Sequence, residues 1–93
     1  VVVSGVAERR VTVINKLGLH ARPAAEFVKT ASKFEADIML SKDTMEVNGK
    51  SILGVMTLAA ECGSELVVRA EGIDAETAVV ALAEVLSRDF GNI

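Results

Sequence analysis

Along this chain, short runs of β-branched residues alternate with segments whose apolar residues recur every three or four positions. These two periods separate strands from amphipathic helices. Residues 9–14 read R-R-V-T-V-I, in partial alternation, and predict a first strand. A loop of sequence N-K-L-G-L follows over 15–19, with Gly18 free to take a backbone conformation that other residues avoid. A helix is predicted to start just after His20. Pro23 then falls in its first turn, where a missing N–H costs nothing. Ala24, Phe27, Val28 and Ala31 make one apolar stripe at i, i+3, i+4 and i+7, and the helix is expected to end near Ser32 and Lys33. Residues 35–41 read as a second strand, Lys42-Asp43 as a turn, and 44–47 as a short third strand stopped by the turn dipeptide Asn48-Gly49. Ser51 suits the N-cap of a short helix over 52–60, although Gly54 lowers helix propensity there by about 1 kcal/mol relative to Ala. Cys62-Gly63 closes that segment, and 64–71 form a fourth strand ended by Gly72. Asp74 is then placed to cap a last helix whose wide apolar face is Ala75, Ala78, Val79, Leu82, Val85 and Leu86.

The predicted order is βαββαβα. It implies an α/β (α+β) fold: an open-faced sandwich in which a four-stranded antiparallel sheet is covered on one face by three helices. Residues 1–5 are set apart as an N-terminal extension and 6–93 as a single domain, without linker or repeat.

Composition narrows the function. With 93 residues, 51% hydrophobic and 25% charged, the chain is a folded domain that buries roughly 60–65% of the surface its unfolded form exposes. A net charge of -3 argues against nucleic acid as a partner, and three Phe with no Trp or Tyr leave few stacking platforms. One His and one Cys argue against an internal disulfide or a zinc site, and no metal or cofactor is expected. Glu61 and Glu84 interrupt the apolar runs short of the ~20 residues a membrane span needs, so no membrane insertion is expected. The start, V-V-V-S-G-V-A-E, lacks the basic region of a signal peptide, and a lone Cys without an export signal suits a reducing cytoplasm. Cys62 itself reads as a small buried hydrophobe and Lys50 as solvated.

Any imidazole chemistry must use His20. The segment G-L-H-A-R-P-A over 18–24 delivers that imidazole to the start of a helix, with a guanidinium two residues later. The first N–H groups of a helix lack internal partners, and its dipole adds roughly half a positive charge. Such an end attracts phosphate, and Arg22 would add a charge-assisted donor. A positive helix end also favours the neutral, nucleophilic form of an imidazole. The plain alternative is that His20 only caps the helix, because Arg22 and Pro23 also occur in ordinary first turns.

The stretch G-L-H-A-R-P-A-A at 18–25 resembles the active-site signature of HPr, the histidine-containing phosphocarrier family of the bacterial phosphotransferase system. V-N-G-K-S-I-L-G-V-M-T-L at 47–58 resembles the regulatory segment of the same family, and the element order agrees with that family's fold. The resemblance implies that His20 is phosphorylated on Nδ1 by phosphorylated enzyme I and passes the group to IIA-type domains of sugar transporters. It implies that Arg22 stabilises the phosphate and that the amides of Ala21 and Arg22 complete the anion site. Ser51 is implied as the target of an ATP-dependent HPr kinase/phosphorylase, a role compatible with capping because phosphate is tolerated at a helix start. Ile52, Leu53 and Met56 sit on a helix apolar almost all round, so some must face outward. The resemblance places them in the patch that meets enzyme I and the IIA domains. The protein would be a stoichiometric relay and not an enzyme, and a small carrier meeting several partners is expected to be monomeric. Three other readings stay open: a carrier in a nitrogen- or regulation-dedicated branch, a regulatory binding module acting through Ser51 alone, and a hydrolase pairing His20 with Cys62.

Overall fold

In the computed structural model, which describes residues 5–90, the elements follow the predicted order: β1 (Gly5–Thr12), α1 (Ala21–Ala31), β2 (Asp37–Lys42), β3 (Met45–Asn48), α2 (Ile52–Thr57), β4 (Glu65–Gly72) and α3 (Ala75–Leu86). The strands form one antiparallel sheet in the order β1-β4-β2-β3. Strand alternation settles which face is covered. Leu66, Val68 and Ala70 of β4 are buried, as are their cross-strand partners Val11 and Ala7 of β1 and Leu40 and Ile38 of β2. The intervening positions face away and several carry charge, with Arg10 paired to Glu65 at 2.7 Å and Arg69 to Glu8 at 3.9 Å. Helix α3 packs on β1 and β4, α1 lies beside α3, and α2 lies beside α1 over β3. The apolar face predicted for α3 is buried in full, and so are Pro23, Ala24, Phe27 and Ala31 of α1.

Several boundaries differ from the sequence expectation, each for a tertiary reason. Strand β1 starts at Gly5, not at residue 9, because β4 is long enough to pair Gly5 with Gly72. Its charged residues Glu8 and Arg10 lie on the open face, which hides the strand from a hydrophobic pattern. Of the residues set apart as an extension, 1–4 lie outside the described residues, and Gly5 is the first of β1. Helix α2 stops at Thr57, three residues before its expected end, since Ala59 turns the chain with φ +49°. Left-handed backbone at such a helix end is usually a glycine signal, and this alanine gives none.

Asp74 stands at the N-cap of α3 but makes no cap bond. Its Oδ2 and Oδ1 instead accept the backbone N–H groups of Glu35 and Ala36, both at 2.9 Å. Lys50 is likewise not free in solvent, since its Nζ donates to the Phe34 carbonyl at 2.8 Å. Together they pin the joint between α1 and β2 from two sides. The Glu35 amide, aided by that of Ala36 and by the charge of Lys50, holds the Asp74 carboxyl below the usual carboxylate range. A carboxyl depressed in the folded state adds stability above its unfolded pKa and loses it as pH falls through the folded value. Asp74→Asn should therefore be less stable than the parent at pH 7. In denaturation curves the gap should narrow as pH falls below about 4, where Asp ordinarily protonates. A gap that stayed constant down to acid pH would show that the charge is irrelevant.

Candidate functional site

The residues singled out around His20 come together where β1 ends, β4 begins and α1 starts. Asn15 is the anchor of the loop. It is 3% exposed, its Nδ2 donates to the Gly18 carbonyl at 3.0 Å, and the Gly18 N–H returns to the Asn15 carbonyl at 2.9 Å. Sequence reasoning passed over this residue, although Asn three positions before a Gly is a recurrent local turn signal. Gly18 takes φ +69°, and a Cβ there would collide with the Ala60 carbonyl oxygen and lie 3.0 Å from Glu61 Cα. The approach has to be that close because the Leu19 N–H donates to the same carbonyl at 2.9 Å. This bond ties the His20 loop to the chain leaving α2, so α2 is held beside the loop by contacts that no sequence pattern announces.

His20 follows at the N-cap of α1, with extended backbone and its carbonyl accepting the first helical N–H, from Ala24, at 3.0 Å. Its side chain makes no cap bond. Capping is therefore not what the imidazole does. The ring Nε2 is buried and has no hydrogen-bond partner. Since no side chain caps the helix and Pro23 has no N–H, the amides of Ala21 and Arg22 stay open at the helix start. Arg22 is exposed and, among the described residues, has no hydrogen-bond or ion-pair partner. An imidazole, two open backbone donors and a guanidinium thus lie within three consecutive residues, an arrangement suited to an oxyanion.

Ser51 caps α2, its Oγ accepting the Gly54 N–H at 3.1 Å. Ser51→Ala should cost about 1 kcal/mol, a fall in Tm of about 4–8 °C. An unchanged melting temperature would remove the cap from the account. Ile52 and Met56 are each 41% exposed and Leu53 is 78% exposed, while Val55 of the same helix is buried. Leu17, in the loop before His20, adds a further exposed apolar side chain that sequence reasoning did not mark. Cys62 is exposed, contrary to expectation, because α2 ends early and leaves it in a turn. Its Sγ lies 3.7 Å from the Ile14 carbonyl and makes no hydrogen bond with His20, so the pairing a hydrolase would need is missing among the described residues. Those residues also contain no cluster suited to a metal ion and no helix long and apolar enough to cross a membrane.

The family model described as "PTS HPr component phosphorylation site" matches residues 7–88. The chain belongs to the HPr family. It is 49% identical over 82 residues to the phosphocarrier protein HPr of Treponema pallidum, covering 88% of this chain and 93% of that one. It is 51% identical over 83 residues to the HPr of Xylella fastidiosa, covering 89% and 93%. The crystal structure of HPr from Bacillus anthracis superposes with a TM-score of 0.84 at 49% identity, covering 88% of this chain and 98% of that one. Four antiparallel strands and three helices in the order βαββαβα are thus the HPr fold. HPr proteins are phosphocarriers of the phosphotransferase system, and membership makes this protein a carrier and not an enzyme.

Proposed function

We propose that this protein accepts a phosphoryl group on Nδ1 of His20 from phosphorylated enzyme I and passes it to IIA-type domains of sugar transporters in the cytoplasm. The observation that carries this reading is the place of His20 at a helix start that no side chain caps, its Nε2 buried and the amides of Ala21 and Arg22 next in the chain. In the transfer, the Nδ1 lone pair forms the new N–P bond as the bond between phosphorus and the donor breaks. The amides of Ala21 and Arg22 and the guanidinium of Arg22 take up the oxyanion charge without reorganising at the moment of transfer. The reverse step, onto the next carrier, uses the same groups.

Ile52, Leu53 and Met56 form the docking face of this relay, held beside the loop by the bond between Leu19 and Ala60. Exposed aliphatic and Met side chains repack easily against successive partners. Ser51 is the regulatory site, modified by an HPr kinase/phosphorylase. A phosphate at the start of α2 is compatible with the fold and acts by adding charge beside that apolar face. The protein works as a monomer, since the docking face must stay free.

Incubation of the protein with phosphoenolpyruvate and enzyme I tests the reading. An acid-labile phosphate that maps to His20 is the expected product. Failure to label under conditions that label an established carrier would sink the proposal.

A further inference from the structure

We propose that Arg88 is a positioning residue for the phosphoryl site: it takes up the Glu26 carboxylate and so keeps Arg22 unpaired and available to phosphate. The inference rests on the phosphocarrier reading given above. Arg22 and Glu26 stand four residues apart in α1, where side chains of opposite charge meet on the helix surface. In a lone helix they would pair, and the carboxylate would compete with any anion for the guanidinium. Here Glu26 instead faces the chain that leaves α3, its Oε1 lying 3.7 Å from Nη1 of Arg88.

Arg88 is well placed to hold it. Glu84, one turn earlier, grips the guanidinium with two bonds, Nε to Oε2 at 2.9 Å and Nη2 to Oε1 at 2.6 Å. The Phe90 ring, its centroid 5.9 Å away, backs the same group. A bidentate, ring-backed fork is fixed in direction, unlike a solitary surface cation. The third nitrogen is left to meet α1, which packs against α3. Among the described residues, two arginines and two glutamates therefore sort so that the guanidinium beside His20 is the one without a carboxylate. This is a local charge arrangement, and its effect is modest: an exposed i,i+4 pair shifts an equilibrium by about twofold.

The full-length protein serves for the test, with inorganic phosphate as the probe and the amide resonances of Ala21 and Arg22 as the readout. Phosphoryl acceptance from phosphorylated enzyme I is measured alongside. Arg88→Gln should weaken phosphate binding and slow acceptance, each by about twofold. Glu26→Gln alone should change neither, and Arg88→Gln combined with Glu26→Gln should restore both. The proposal is overturned if Arg88→Gln behaves as the parent, if its loss persists in the double variant, or if Glu26→Gln strengthens binding equally in both backgrounds. If Arg88→Gln does not fold, Glu84→Gln loosens the same fork and should show a smaller loss that Glu26→Gln again reverses. Failure of the phosphocarrier reading looks different. The parent would then take up no acid-labile phosphate, while the phosphate titration still reports on Arg88.

Discussion

His20→Ala is expected to take up no phosphoryl group from phosphorylated enzyme I while keeping its fold. The chain contains a single histidine, so no other imidazole can replace it. The side chain makes no cap bond, and its buried Nε2 has no partner, so removing it breaks no hydrogen bond. Stability should change by no more than about 1 kcal/mol, which moves Tm by about 4–8 °C at most. Phosphate incorporation and thermal melting on one sample separate the two effects. Incorporation into the variant at the parent's level would refute the assignment of His20, and loss of the folded state would assign it a structural role instead.

Gly18→Ala is expected to damage both stability and transfer. Left-handed backbone alone costs an L-residue about 1–2 kcal/mol. The added methyl would also overlap the Ala60 carbonyl oxygen, so the backbone must shift and the Leu19–Ala60 bond must lengthen. A total of about 2 kcal/mol or more corresponds to a fall in Tm of about 8 °C or more. Because Leu19 directly precedes His20, the displaced loop should also slow phosphoryl acceptance. Gly63→Ala is the control, since Gly63 has φ +93° and a methyl group added there would meet nothing within 4 Å. That substitution should show the conformational cost without the loss of transfer. Equal effects of the two on transfer would mean that the approach to Ala60 does not position His20.

How much could be read beforehand depended on how local each feature is. The six residues predicted as the inward face of α3 are all buried, while Val80, off that face, is exposed, because one repeating period over twelve residues leaves only one face able to meet the sheet. The proposed phosphoryl site lies within one contiguous stretch, and the properties of a helix start are intrinsic to the helix, so His20 and Arg22 could be picked out together. Features that depend on distant segments were not readable. The early end of α2 follows from Ala59 turning the chain so that Ala60 reaches Leu19. Asp74 suited a cap, yet the amides of Glu35 and Ala36, far away in sequence, compete for both of its oxygens and win. Cys62 seemed to close an apolar helix and is exposed because that helix had already ended.

Residue order alone was enough to establish the kinds and sequence of elements, the apolar stripes, and a lone imidazole followed by a guanidinium at a helix start. Those depend on periods and on neighbours a few positions apart. Tertiary structure decided which ring nitrogen of His20 is buried, which carbonyl clamps the loop, and which arginine Glu26 faces. Each of those outcomes is a competition between groups from different elements for one hydrogen bond or one charge. Only the folded chain brings the competitors within reach.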